Sequence, residues 1–105
     1  MDLEESVNNN GNGTCSQAFS AYEGRYLLLK GVTVTASNCD ISDLRVGDGV
    51  SAASYLVDDN DNKTLLGYWF NDPLHCPSGV LSCRVTEAND VGADVVTFSV
   101  QVLIV

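Results

Sequence analysis

Few residues in the chain could carry metal or nucleophile chemistry: Cys15, Cys39, Cys76, Cys83 and a single histidine, His75. Zinc knuckles hold paired cysteines two to four residues apart, because a tight turn must aim both sulfurs at one ion. The spacing Cys76-x6-Cys83 is wider than that, and Cys15 and Cys39 form no matching pair, so the cysteine pattern assigns no metal ligands. Two readings of the thiols stay open. In an oxidising setting Cys76 and Cys83 bridge across the turn Pro77-Ser78-Gly79; in a reducing one all four serve as small apolar residues. Any Ser-His-Asp or Cys-His arrangement would have to use His75. Its neighbour Cys76 is badly placed for that, since adjacent residues seldom meet at nucleophile–base geometry. Fourteen Asp and Glu residues leave room for a carboxylate pair of glycosidase type, but a chain of 105 residues builds little cleft around one. No Gly-rich loop opens a helix to cradle a phosphate. The expectation is a non-enzymatic protein with no cofactor.

The cluster Asp58-Asp59-Asn60-Asp61-Asn62 places oxygen ligands at alternate positions, as a calcium loop does. Lys63 stands where such a loop needs glycine, and Trp69 takes the place of its closing glutamate, so a solvated turn is the better reading. Tyr68-Trp69-Phe70 is more informative. On a strand, Tyr68 and Phe70 point to one face and Trp69 to the other, putting large aromatics on both. A sandwich buries one face of each sheet. Either a loop covers the second face or another protein does, and Tyr68, Trp69 and Phe70 are the expected partner contacts.

The elements that must position these residues are strands. Fourteen residues are valine and Asp outnumbers Glu ten to four, so β-branched and turn-forming residues displace helix formers. Residues 25–36 form one long extended stretch with Gly31 inside it, the mark of a bulge at which the strand bends. A weak segment holding Ile41, Leu44 and Val46 follows, closed by a turn at Gly47-Asp48-Gly49. Residues 50–57 and 64–70 read as a hairpin, residues 71–78 as a loop punctuated by Pro73 and Pro77, and residues 79–86 as another strand. The last segment is the clearest: Val96, Phe98, Val100, Val102 and Ile104 share one face. About six to eight short strands without a helix define an all-β fold, a single antiparallel β-sandwich of jelly-roll type, with a closed barrel as the second choice. Residues 1–14 carry the polar tract Asn8-Asn9-Asn10-Gly11-Asn12-Gly13 and read as a flexible N-terminal arm on a sandwich of residues 15–105. Asn9 and Asn10 are the arm residues expected to reach a partner.

Charge narrows the partners. A net charge of −9 lacks the cationic surplus needed to displace counterions from nucleic acid or to adhere to an anionic membrane. No apolar run approaches the roughly 20 residues of a bilayer span. The start Met1-Asp2-Leu3-Glu4-Glu5 has neither the basic nor the apolar region of a secretory leader, so either the chain is made and used inside a cell or a leader has already been removed from it.

The order of features is similar to that of small β-sandwich virion proteins of tailed bacteriophages, of the capsid decoration (cement) or head-fibre type. The residues that carry the likeness are the polar arm, Tyr26-Leu27-Leu28-Leu29-Lys30-Gly31-Val32-Thr33-Val34-Thr35-Ala36, the Gly47-Asp48-Gly49 turn, the proline-containing loop before Gly79-Val80-Leu81 and the valine-rich final strand. The resemblance implies a non-enzymatic capsid-surface component made in the host cytoplasm, dimeric or trimeric, attached to a major capsid protein or another virion protein. From a different class, a carbohydrate-binding, lectin-like module would use Trp69 and Tyr68 with acids such as Asp72.

Overall fold

In the computed structural model, which describes residues 1–9, 12–51, 53–60 and 63–105, side chains alternate between core and solvent along most of the chain. Val96, Phe98, Val100 and Val102 are buried, whereas Val95 and Leu103 on the opposite face are exposed. Among the described residues this period of two yields eight strands: β1 (Asp2–Asn9), β2 (Gly13–Phe19), β3 (Leu27–Ser37), β4 (Asp40–Asp48), β5 (Tyr55–Asp58), β6 (Leu65–Cys76), β7 (Leu81–Ala88) and β8 (Asp94–Ile104). They form two four-stranded antiparallel sheets, ordered β1-β8-β3-β6 and β2-β7-β4-β5.

The order has a simple origin. Strands pair outside-in, β1 with β8, β2 with β7, β3 with β6 and β4 with β5, as in one long folded ribbon. Rolling that ribbon brings β8 against β3 and β7 against β4, which closes the two sheets. This is a jelly roll. Leu27, Leu29, Val32 and Val34 of β3 and Phe98 and Val100 of β8 pack against Leu44 and Val46 of β4 and Cys83 and Val85 of β7 in one continuous core. Gly31 is the expected irregularity: the register of β3 shifts between Leu29 and Gly31 against both neighbours.

Three local expectations change. Residues 50–57 and 64–70 are not a hairpin, because β5 pairs with β4 in one sheet and β6 with β3 in the other. The chain crosses between sheets at Lys63, which pairs with Ile41, and Thr64, whose carbonyl accepts from Ala36 N–H. Residues 71–76 are not loop but the second half of β6, with Asn71, Asp72 and Pro73 bulged between the Gly31–Trp69 and Leu29–Leu74 pairs. A proline is accepted there because β6 is an edge strand and has a side without ladder bonds. At the N-terminus, Asp2–Asn9 is paired along β8 in place of the expected arm, and Leu3 and Val7 pack on the core. The alternation of Leu3 and Val7 with acids is that of an edge strand whose charges discourage further pairing.

Candidate functional site

The outer face of the β1-β8-β3-β6 sheet reads off the register in rows. Trp69, Gly31, Gln101 and Asp2 lie side by side; the next row is Gly67, Thr33, Ser99 and Glu4, and the one after it Leu65, Thr35, Thr97 and Ser6. At the other end His75, Leu28 and Leu103 form a row. The face therefore grades from aromatic and aliphatic groups along β6, through hydroxyls, to carboxylates on β1. Ser6 and Thr97 join their hydroxyls at 2.9 Å across the β1–β8 seam.

Trp69 is 61% exposed and Leu65 59%, on the same face with only Gly67 between them. The missing side chain at Gly67 opens a groove of about 490 Å3 whose walls include Leu65 and Trp69 and whose far side is Thr33 and Gln101. Its exposed walls make it a surface channel, not an enclosed pocket. Trp69 rests against Gly31: a Cβ there would stand 2.5 Å from the indole Cε3. Tyr68 and Phe70 turn to the inner side, ring centroids 4.8 Å apart and edge to face, and Phe70 continues to Tyr55 at 6.4 Å. Phe70 is buried and Tyr68 is exposed at the rim. Asp58 braces this edge, one carboxylate oxygen accepting from Gly67 N–H at 3.1 Å and the other from Asn60.

The remaining candidates are scattered. Asn9 ends β1, paired through its backbone with Asp94, and Asn10 lies outside the described residues, as do Asp61 and Asn62 of the calcium-like cluster. His75 pairs with Leu28 on the outer face, where it hydrogen-bonds the Tyr26 hydroxyl. Cys76 pairs with Leu27 and is wholly buried, so histidine and thiol point to opposite faces of the sheet. Burial, helped by Asp48, holds the Cys76 thiol up at about 11, and burial holds Cys83 at about 12, with the Cys76 charge adding to it. All four cysteines are free thiols in this structure.

A second cluster lies between the sheets at one end of the sandwich. Cys39 in the β3–β4 turn, Glu87 near the end of β7 and Asp94 at the start of β8 bring one ligand atom each within 4.8 Å of one another. Glu87 is 2% and Asp94 1% exposed, and the Asp94 carboxylate has no hydrogen-bond partner beyond the Cys39 thiol. An uncompensated buried carboxylate costs on the order of several kcal/mol. Cys15 of β2 joins the group, its thiol pushed up to about 12 by burial and then by a hydrogen bond to Glu87. Burial, then a hydrogen bond to Asp94 and its charge, does the same to Cys39. Reading the cysteine spacing alone missed this group. The signal available was strand alternation: Cys83-Val85 continues inward to Glu87, and Phe98-Val96 continues back to Asp94.

No family model matches the chain, and no curated protein does. Among solved structures it is similar to PliG of Aeromonas hydrophila, a periplasmic inhibitor of g-type lysozyme, at 14% identity and a TM-score of 0.49, over 95% of this chain and 86% of that one. That neighbour is a bacterial periplasmic protein, not a phage virion component. None of these findings supports the likeness to decoration and head-fibre proteins, which is corrected, and with it the capsid partner, the dimeric or trimeric shell subunit and the virion location. The lectin-like alternative has no counterpart in it either. Jelly rolls serve many unrelated functions, so function here rests on the residues of the site.

Proposed function

We propose that the protein is a non-enzymatic binding module that docks a basic protein partner on the Trp69 side of its outer sheet face. The observation that carries this is Trp69, the single tryptophan, lying 61% exposed beside Leu65 on strand β6. Tryptophan is enriched at the energetic centres of interfaces. A rigid sheet presents it without the entropic cost of ordering a loop. Charge sets the partner's chemistry: the chain carries −9, and Asp2 and Glu4 of β1 complete the Trp69 and Gly67 rows. Such a field speeds encounter with a cationic surface and rejects an acidic one. His75 and Cys76, the one adjacent pair with nucleophile–base potential, face apart, which supports the non-enzymatic reading.

Titrating the protein with basic proteins while following tryptophan emission tests the proposal, with acidic proteins of matched size as controls. A bound basic partner should shift the emission to the blue and weaken as salt rises. Trp69→Ala should reduce its affinity roughly 30-fold, the loss of about 2 kcal/mol typical of an anchoring residue. Affinity unchanged in Trp69→Ala, or equal binding of acidic proteins, would overturn the reading.

A further inference from the structure

We propose that Cys39, Glu87 and Asp94, with Cys15 as the fourth ligand, form a structural zinc site that ties the two sheets together at one end of the sandwich. Two independent observations point to it. The three ligand atoms converge within 4.8 Å from the β3–β4 turn, β7 and β8. Asp94, 1% exposed and beside the other two, has no hydrogen-bond partner for its carboxylate beyond the Cys39 thiol. A divalent cation compensates such a group and accepts the sulfur of Cys39 in the same shell.

The donor set selects the ion. Thiolate sulfur with carboxylate oxygen suits a borderline-soft ion such as zinc, and all-oxygen magnesium or calcium sites are of a different kind. Tetrahedral zinc holds its ligand atoms roughly 3.3–3.8 Å apart. Side-chain rotations about Cys39 and the two acids supply the small closure required. Each zinc–sulfur bond forms as a thiol proton leaves to solvent, with no change of oxidation state. A site so buried and closed serves the fold, not catalysis.

The surroundings are already arranged. The β7–β8 loop is tied to the β3–β4 turn by Val91 N–H donating to the Asn38 carbonyl at 3.0 Å and by the Asn38 side-chain amide donating to the Ala93 carbonyl at 2.9 Å. These bonds hold Cys39 and Asp94 near each other before any ion binds. The site is remote from the Trp69 groove: Asp94 and Gln101 stand seven residues apart on β8, roughly 23 Å along the strand. Loss of zinc binding and loss of partner binding are thus separate outcomes.

The test is to reduce the full-length protein, strip it with a chelator, and titrate it with zinc by calorimetry and with cobalt by absorption. One ion should bind per chain, the cobalt form should show tetrahedral ligand-field bands with thiolate-to-metal charge transfer, and the melting temperature should rise. Asp94→Asn and Cys39→Ser should each weaken binding more than roughly tenfold, and Cys76→Ser should leave it unchanged. Failure of the folded, reduced chain to bind either ion overturns the site, as does a cobalt spectrum lacking thiolate bands or binding that survives both ligand variants. A Cys15–Cys39 disulfide in the protein as isolated, with no metal bound after reduction, also overturns it. If a ligand variant does not fold, the wild-type cobalt spectrum and the Cys76→Ser control still decide.

Discussion

Replacing Gly31 with alanine sets the seat of Trp69 against the stability of the sheet. The new Cβ would lie 2.5 Å and 2.9 Å from two indole carbons and 2.9 Å from the Gln101 side-chain oxygen, where ordinary contact begins near 3.4 Å. Gly31 has no positive φ, so the backbone accepts alanine without strain. The indole must therefore lift off. With Trp69 61% exposed, two-fifths of its surface is covered. For a side chain of this size that is about 100 Å2, or at most ~2.5 kcal/mol of burial. Losing most of it, while the alanine returns about 0.4–1 kcal/mol through the unfolded chain, leaves a net loss of about 1–2 kcal/mol. Urea melts followed by circular dichroism measure that loss, and the emission of the single tryptophan should move to the red. In a double-mutant cycle the penalty should vanish on a Trp69→Ala background, where alanine at 31 becomes neutral or stabilising. If Gly31→Ala leaves emission and stability unchanged, Trp69 does not rest on Gly31, and the groove wall built from it is wrong.

Two further outcomes follow from the same reasoning. Gly79→Ala should destabilise by about 3 kcal/mol or more, because φ is +77° and the Cβ would lie 2.2 Å and 2.6 Å from the Tyr22 and Arg25 carbonyl oxygens. These belong to a turn already bonded to residue 78 through Gly24 N–H, whereas Gly92→Ala, at φ +101° with open space around it, should cost only about 1 kcal/mol; thermal melts compare them. The thiols of Cys76 and Cys83 give an alkaline limit: their folded pKa values, about 11 and 12, lie above the unfolded 9.0, so their contribution is whole below pH 9 and is lost as pH rises toward 11–12. Between pH 8 and 10 they should remove about 3 kcal/mol together. A Cys76→Ala/Cys83→Ala variant should show a flatter decline under reducing conditions; identical profiles would refute the assignment, and a Cys76–Cys83 bridge would remove the loss from the wild type.

Much of the fold was legible because a strand's period of two is local information. Val96 to Ile104 announced β8, and Gly31 announced its bulge, since a lone glycine among β-branched residues has few other uses. Pairing was not legible in the same way. Residues 50–57 and 64–70 looked like a hairpin because they follow one another, yet each found its partner elsewhere: Val46 lies opposite Tyr55, and Val32 opposite Tyr68. The bulged half of β6 was hidden by its prolines, and β1 by the Asn-Gly tract beside it. In both cases an edge position allowed what composition argued against. Tyr68, Trp69 and Phe70 were singled out correctly as aromatics of two faces, but their depths were not: Phe70 is buried while Trp69 lies in the open.

Alternation, charge and the scarcity of histidine are properties of the chain itself, and they determined an acidic all-β sandwich with its one tryptophan on the face opposite Tyr68 and Phe70. Which residues meet was decided only by rolling the ribbon. Cys15, Cys39, Glu87 and Asp94 span most of the chain, and no spacing rule joins them. Cys39, Glu87 and Asp94 converge, with Cys15 bonded to Glu87, because outside-in pairing carries β2, the β3–β4 turn, β7 and β8 to the same end of the molecule. Long-range strand pairing depends on the summed burial of whole faces, a quantity that no short window of sequence contains.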